Sequence, residues 1–168
     1  ITWRPALTHM ALRPYVETKL FGRWTYPLGV TLYGMWQAGH FLDRPVMNDY
    51  VTCHASQVVG INDYARYDQE KYGFPGVNQQ ICWLDALDDC GSFGSLMLEC
   101  AQPGDPAVRK LADTIGEYML REQPRTFDGA YCRRDDTIWA DDMYMSGPFL
   151  IRYSMLTGNM EGMNMCAE

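Results

Sequence analysis

Excess positive charge and long apolar runs are both missing from this sequence. Lys and Arg number 14 against 21 Asp and Glu, which gives a formal net charge of -7 and a pI near 4.9. Such a chain lacks the basic face that releases phosphate counterions, so we expect no nucleic-acid partner. No apolar run approaches the length of a spanning helix, so we expect no membrane partner either.

Metal-ligand spacings are also missing. The six cysteines form no C-x-x-C pair, and the three histidines do not stand at zinc-like spacing from them. We therefore expect no metal site and no cofactor. Cys90 and Cys100 fall at apolar helical positions, which is typical of buried free thiols. The sequence alone leaves disulfide bonds possible.

The chain begins at Ile1, without a basic start followed by an apolar signal core. We interpret this N-terminus as mature, trimmed or truncated. Together with the acidic composition, it favours an extracellular or periplasmic location, with the cytoplasm as the alternative.

What the sequence does contain predicts one globular, helical domain. Hydrophobic residues make up 47% and aromatic residues 13% of the chain, which is ample for a packed core. The segment from about Ala130 to Arg134 is expected to be extended. Apolar spacing, proline and glycine predict helices over Pro5 to Phe21 with a kink or restart at Pro14, Pro27 to His40, Pro45 to Lys71, Asp88 to Cys100, Pro106 to Met119, and Asp141 to near Gly158.

The predicted helices form a weak internal repeat. Helices that are apolar nearly all round alternate with amphipathic ones, and a tryptophan precedes each apolar helix: Trp24, Trp83 and Trp139. A period of roughly 55 residues per helical pair is typical of a toroid of helical hairpins, with the apolar helices forming an inner ring. If the inner helices are parallel, these tryptophans and the nearby aspartates meet at one rim.

Three hairpins supply only half of a closed six-hairpin barrel. An open half exposes apolar flanks of its inner helices, and exposed surfaces of this kind normally mark an interface. We therefore expect the chain to need the rest of its own barrel, or another chain, to close the fold.

The most informative stretch is Trp139 to Phe149, W-A-D-D-M-Y-M-S-G-P-F. Neighbouring residues on a helix point about 100° apart, so only one of Asp141 and Asp142 can face squarely inward while the other caps the first turn. A carboxylic acid in an aromatic-lined pocket is a candidate proton donor.

This stretch, together with Trp24 to Gly34 and Leu87 to Gly91, resembles glycoside hydrolase family 105, the unsaturated glucuronyl and rhamnogalacturonyl hydrolases. The W-x-D-x-x-Y-M-x-x-P-F pattern is the most specific of the three segments. The resemblance implies an all-α (α/α)6 barrel about twice as long as this chain, of which residues 1–168 supply the N-terminal half.

The resemblance also implies a reaction. Members of that family act on oligosaccharides left by polysaccharide lyases, whose non-reducing end is a uronic acid with a C4=C5 double bond. An aspartic acid protonates C4, water adds at C5, and the resulting hemiketal opens to release the next sugar.

Site residues carry over by motif. Asp141 corresponds to the proton donor, Asp88 to the second active-site aspartate, and Trp139 to a residue lining the sugar subsite. We add Tyr144, Trp24 and Met145 as substrate-binding candidates. The family commonly carries a histidine just before the W-x-D motif, whereas residues 130–134 contain none.

Whether Asp141 can act as a proton donor depends on how deeply its carboxyl group is buried. A helix N-terminus favours the charged carboxylate by about 0.3–1 kcal/mol. Desolvation beside Trp139 and Tyr144, with the Asp88 carboxylate nearby, would favour the protonated acid more strongly. The proton-donor hypothesis is therefore stronger if Asp141 is buried than if it is exposed.

Plainer interpretations stay open for each residue. Asp88, Asp89, Asp141 and Asp142 all suit helix caps, and the tryptophans suit the core. His40 is compatible with a structural position at the end of a helix. An arginine in the loop before Trp139 is compatible with a solvated side chain, although Arg125, Arg133 or Arg134 could attract a uronate carboxylate.

Two other functions are alternatives. An (α/α)6 sugar epimerase would require paired histidines facing the cavity, and none of the three has a clear partner. A non-catalytic α-hairpin binding scaffold would require a polar concave face with dispensable aspartates.

Overall fold

The structure is a computed structural model that describes residues 2–5, 12–15, 24–73, 75, 78–100 and 105–167. It begins with two short antiparallel strands, β1 (Thr2–Pro5) and β2 (Leu12–Tyr15). The helix predicted from Pro5 is therefore wrong at Pro5 and over Leu12–Tyr15. Each strand contains a proline, which disfavours helical backbone at the residue before it and so favours extended chain. The rest of that prediction lies outside the described residues.

Helices make up most of the remaining described chain. The long helix predicted from Pro45 is two helices, because Gly60 weakens the first and Asn62 and Asp63 suit the start of a second. A π-helical turn, Tyr118–Glu122, extends α6. The helices are α1 (Tyr26–Phe41), α2 (Pro45–Gly60), α3 (Asn62–Tyr72), α4 (Gln79–Trp83), α5 (Leu87–Cys100), α6 (Pro106–Glu117), α7 (Ala140–Thr157) and α8 (Glu161–Met165).

The predicted inner helices α1, α5 and α7 lie side by side in that order. Gly91 of α5 faces Met145 of α7, and Gly94, one turn further along, faces Phe149. Because the contact positions advance in the same direction along both helices, α5 and α7 are parallel.

The helices α1 and α5 are parallel by the same reasoning. Gly29 faces Ser92, and the hydroxyl of Tyr33 donates to Glu99 Oε1 over 3.0 Å. The N-termini of all three inner helices therefore lie at one end, which we call the rim. The amphipathic helices α2 and α6 pack on the outside of this row. The chain thus has the all-α, paired-helix architecture of an (α/α) toroid.

Burial differs among the inner helices. The helix α5 is buried along most of its length, as predicted. The helix α1 is apolar or small nearly all round, which predicts a buried helix, but this is wrong, because only Gly29, Leu32 and Gly39 are buried there. Exposed apolar side chains lie on both flanking helices, among them Val30 of α1 and Met155 of α7. Within the inner row of described helices, each flanking helix packs mainly against α5, and a hydrogen bond of 3.0 Å from Arg152 to the Tyr33 hydroxyl joins α7 to α1.

Two further predictions are confirmed, the burial of two cysteine thiols and the end of α7 near Gly158. Cys90 and Cys100 are buried free thiols, and the other four cysteines are free as well. Gly158 ends α7 in a left-handed conformation. Within the described ranges, no helix combines the length and apolarity needed to cross a membrane.

Candidate active site

A groove of about 200 Å³ runs along the concave side of the three inner helices. Most of its lining is apolar, with serine hydroxyls from α5 along one side. Its wall residues recur at helical spacing, so that each helix contributes one stripe. The lining residues are Gly29, Val30 and Tyr33 of α1, Ser92 and Ser95 of α5, and Tyr144, Met145, Pro148 and Arg152 of α7.

The two adjacent aspartates of α7 point to different environments. Asp142 is only 3% exposed and faces α5, whereas Asp141 is exposed to solvent. Tyr144 and Met145, which line the groove, follow Asp141 by three and four residues, so they share its face of the helix. Asp141 therefore lies at the rim end of the groove.

A single arginine connects the buried acids of the rim. Arg133 Nε donates to Asp142 Oδ2 and Arg133 Nη2 donates to Asp142 Oδ1, each over 2.8 Å. The same Nη2 lies 3.2 Å from Asp88 Oδ2. The bonds to Asp142, with the neighbouring charge of Asp88, raise the pKa of the Arg133 guanidinium. The N-termini of α5 and α7 are thus joined by one charged group.

The Arg133 guanidinium also stacks on Trp139. Its Cζ lies 4.2 Å from the centre of the tryptophan ring, within the range of a cation–π interaction. Trp139 Nε1 donates to Thr137 Oγ1 over 3.0 Å, and the side chain is 48% exposed. Arg133 and Thr137, both in the loop before α7, therefore hold the Trp139 ring in place, while about half of its surface stays accessible to a ligand.

Asp89 performs a separate task at the rim. Its Oδ1 accepts a hydrogen bond of 2.5 Å from the backbone N–H of Tyr26, the first residue of α1. Burial raises the pKa of Asp89 to about 6, and the carboxylates of Asp88 and Asp85 act in the same direction. The bond from Tyr26 and the charge of Arg133 oppose that rise. Asp89 is a cap, as one interpretation predicted, but it caps the neighbouring helix.

The opposite end of the groove is closed by a polar network. Glu99 accepts from Arg152 Nε over 2.7 Å and from the Tyr33 hydroxyl over 3.0 Å, while Gln37 Nε2 lies 3.3 Å from its other oxygen. Arg152 also donates to the carbonyl of Pro148 over 2.9 Å. Partial burial, and then the bond to Glu99, raise the pKa of Tyr33.

Of the six predicted site residues, five lie at the groove or its rim, and the sixth, Trp24, lies in the core. Trp139, Tyr144 and Met145 lie at the groove or its rim, and Asp88 lies at the rim beside Arg133. Asp141 lies at the groove mouth and is exposed to solvent.

The assignment of Trp24 to substrate binding is wrong. Its side chain is 1% exposed and packs edge-on against Phe93, with 4.5 Å between the ring centres, and against His54. A side chain enclosed by α2 and α5 cannot present a face to a sugar.

Neither His40 nor His54, the two histidines among the described residues, lines the groove. His40 Nδ1 lies 2.9 Å from the carbonyl oxygen of Trp36, one turn earlier in α1, and His54 packs in the core. His9 lies outside the described residues. Among the residues that the structure describes, no group of three His, Cys, Asp or Glu side chains is placed to hold a metal ion.

The sequence does not predict that Arg133 and Asp142 bind each other at the rim. It predicts that Arg133 is a solvated loop residue or attracts a uronate carboxylate, and that Asp142 is a helix cap or a group supporting the site. The sequence shows only that Asp142, one of two adjacent acids, follows Arg133 by nine residues. Because part of this interval is a loop without regular geometry, the spacing does not predict a contact between the two side chains. Only the tertiary arrangement of the loop and α5 brings these groups together.

Comparison with known proteins identifies the class of the chain. The family model described as Glycosyl Hydrolase Family 88 matches residues 7–167. No curated protein and no solved structure matches the chain significantly. A match over nearly the whole sequence indicates a hydrolase domain with a carbohydrate substrate, of a class that acts on unsaturated uronic acid sugars. On this evidence the chain belongs to glycosyl hydrolase family 88.

Proposed function

We propose that this chain carries the catalytic rim of a hydrolase of the family 105 type, which removes a 4,5-unsaturated uronic acid from the non-reducing end of lyase-generated oligosaccharides. The observation that carries the proposal is the position of Asp141 at the mouth of the groove, on the same helical face as Tyr144 and Met145. Trp139 stands beside it with about half of its surface exposed.

The reaction is the hydration of a vinyl ether. The Asp141 carboxylic acid transfers its proton to C4, and the electron deficiency that develops at C5 is quenched by a water molecule. Loss of a proton from that water leaves a hemiketal at C5. The hemiketal opens to a ketone at C5 and leaves the former ring oxygen as a hydroxyl on C1. This hemiacetal collapses to an aldehyde, its hydroxyl proton is passed to the glycosidic oxygen, and the next sugar leaves with a free hydroxyl.

The other rim residues support this step. Asp88 accepts a hydrogen bond from the backbone N–H of Asp89 and another from Arg133, so one of its oxygens points toward the gap between α5 and α7. It is suited to orient the attacking water. The exposed face of Trp139 and the apolar wall of Val30, Tyr144 and Met145 suit the apolar face of a sugar ring.

Closure of the groove is part of the proposal. Asp141 is exposed in the described arrangement, and a proton donor benefits from desolvation, which favours a neutral carboxyl group. We expect the rest of the barrel, or another chain, to cover the exposed flanks of α1 and α7 and to bury Asp141. The mostly apolar lining of the groove argues against the binding-scaffold alternative, which requires a polar concave face.

The test follows the ultraviolet absorbance of the C4=C5 uronate in the protein that carries this chain. Unsaturated disaccharides from pectin and from glycosaminoglycans form two panels, so that the panel that loses absorbance identifies the next sugar. Asp141→Asn should reduce turnover by about 10²–10⁴-fold, the usual contribution of a positioned general acid. Asp128→Asn, in an exposed turn, is the matched control and should retain full activity. Unchanged absorbance in both panels would exclude the proposal for these substrates.

A further inference from the structure

We infer that Arg133 is a positioning residue that sets the geometry of the rim, and that it does not bind the carboxylate of the substrate. This inference rests on the proposed function, because it assigns a role to a neighbour of Asp88 and Trp139. It departs both from the default interpretation of Arg133 as a solvated loop residue and from the alternative that it attracts a uronate carboxylate.

The first argument is the hydrogen bonding of the guanidinium. Nε and Nη2 form a bidentate pair with Asp142, and Nη2 also reaches Asp88. One face of the group is covered by the Trp139 ring at 4.2 Å. A bidentate carboxylate contact is the strongest recognition mode of arginine, and here it is made within the protein. A substrate carboxylate would have to displace Asp142 from Nε and Nη2, or Asp88 from Nη2, to obtain a bidentate contact.

The second argument is charge. Two carboxylates, those of Asp88 and Asp142, surround one guanidinium, and Asp89 lies next to Asp88 in the chain. The single positive charge is thus more than balanced locally. An approaching uronate would meet a rim with no excess positive charge, so electrostatic attraction to Arg133 is weak.

The third argument is the rigidity of the loop that carries Arg133. Its backbone N–H donates to the Thr137 carbonyl over 2.8 Å. Just before it, the buried Gln123 side chain donates to the carbonyl of Cys132 over 2.7 Å, and the Tyr131 hydroxyl donates to the Met119 carbonyl over 2.9 Å. The loop is therefore anchored to the core just before the arginine, and a bond within the loop fixes the turn that follows it. A residue held in this way can fix its partners instead of adapting to a ligand.

These observations define what Arg133 does. Asp142 adjoins Asp141 on α7, and Asp88 lies in the first turn of α5, so one side chain orients the two proposed active-site acids relative to each other. The same group orients the ring of Trp139. Lysine could supply the charge but not the planar fork and the stacking face, so both features identify arginine as the required residue.

The kinetic test compares Arg133→Gln and Arg133→Lys, with Arg134→Gln as the matched control at an exposed neighbouring position. A positioning role predicts that both substitutions lower kcat by about 10–100-fold, the scale of a misplaced catalytic group, while KM stays within about twofold. A rise in KM with unchanged kcat, largely restored in Arg133→Lys, would overturn the inference in favour of substrate binding.

A second test needs no turnover, so it separates failure of this inference from failure of the proposed function. Acrylamide quenching of Trp139 is obtained by subtracting the signal of Trp139→Phe in each background. Arg133→Gln uncovers one face of the ring, and the quenching constant of Trp139 should rise at least twofold, whereas Arg134→Gln should leave it unchanged. Circular dichroism confirms that each variant is folded. An unchanged quenching constant in a folded Arg133→Gln protein would refute the positioning role even if no substrate were turned over.

Discussion

Gly91 of α5 lies directly against the backbone of Met145 in α7. A Cβ atom at position 91 would come within 2.5 Å of the Met145 carbonyl oxygen and within 2.8 Å of the Ser146 nitrogen. Asp88 and Asp142 each lie three residues before this contact, toward the rim. The approach of the two helices at Gly91 therefore sets how far apart the rim acids stand, and only glycine permits it.

Replacing Gly91 with alanine should destabilise the protein. Alanine improves helix propensity by up to about 1 kcal/mol, but backbone atoms cannot rotate away from its Cβ, and overpacking typically costs about 1–3 kcal/mol. We expect a net loss measurable by urea unfolding. Gly34→Ala is the matched control, because nothing lies within 4 Å of its added Cβ. It should be neutral or stabilising. Equal stability of the two variants would show that α5 and α7 separate without cost.

The neighbours Asp141 and Asp142 should affect different properties. Asp142→Asn leaves the Arg133 guanidinium with a neutral partner, and the free energy of unfolding should fall by about 1–3 kcal/mol, reduced from the value for fully buried pairs because Arg133 is partly exposed. Asp141→Asn changes an exposed carboxyl group and should alter stability by less than about 0.5 kcal/mol. Urea unfolding of both variants tests this, and equal losses would contradict it.

The prediction of the inner helices from sequence rested on a strong signal. The segments that became α1, α5 and α7 are rich in apolar and small residues over several turns, and their glycines allow close packing. Parallel packing then brings their N-termini to one rim, as the tryptophan repeat predicted. The expectation that half a barrel is missing stays a prediction, and so do the cellular location and the family 105 type.

The details of the site depended on tertiary contacts that periodicity does not contain. Trp24 precedes an inner helix just as Trp139 does, yet it is buried because α2 places His54 against it and α5 places Phe93 there. The choice between Asp141 and Asp142 depends on the rotation of α7 about its axis. Arg133 finds its partners through a loop that has no repeating pattern.

The ion pair between Arg152 and Glu99 should stabilise the closed end of the groove. Both side chains are about three-quarters buried, and Tyr33 and Gln37 add hydrogen bonds to Glu99. Arg152→Met keeps the apolar stem and should cost on the order of 1–2 kcal/mol, allowing for solvent screening.

Urea unfolding of Arg152→Met, Glu99→Gln and the double variant measures the coupling between the two groups. The matched control is Arg109→Met, which removes a more exposed i,i+4 pair with Asp113 and should cost less than about 0.5 kcal/mol. A loss no larger than that of the control would mean that the network contributes little to closing the groove.

Asp89 should make stability depend on pH between about 4 and 6. Its pKa is raised from 3.8 to about 6 in the folded state, mainly by burial, so the folded protein binds a proton that the unfolded chain has already lost. The stabilisation is present at low pH and is lost as pH rises through about 6. At about 1.36 kcal/mol per pKa unit, this amounts to at most about 3 kcal/mol.

Asp89→Asn separates this effect from other titrations. Asparagine is neutral and keeps an oxygen that can accept the N–H of Tyr26, so the variant should match the wild type near the low-pH limit and exceed its stability above pH 6. Asp128→Asn should behave in the opposite way, because the Thr126 hydroxyl lowers the pKa of Asp128 and stabilises its charged form. Urea unfolding between about pH 4 and 7 measures the difference for Asp89→Asn, and extending the series below pH 3.8 measures the difference for Asp128→Asn. If the difference for Asp89→Asn does not change with pH, burial of the Asp89 charge does not oppose folding, and its bond to Tyr26 offsets the desolvation completely.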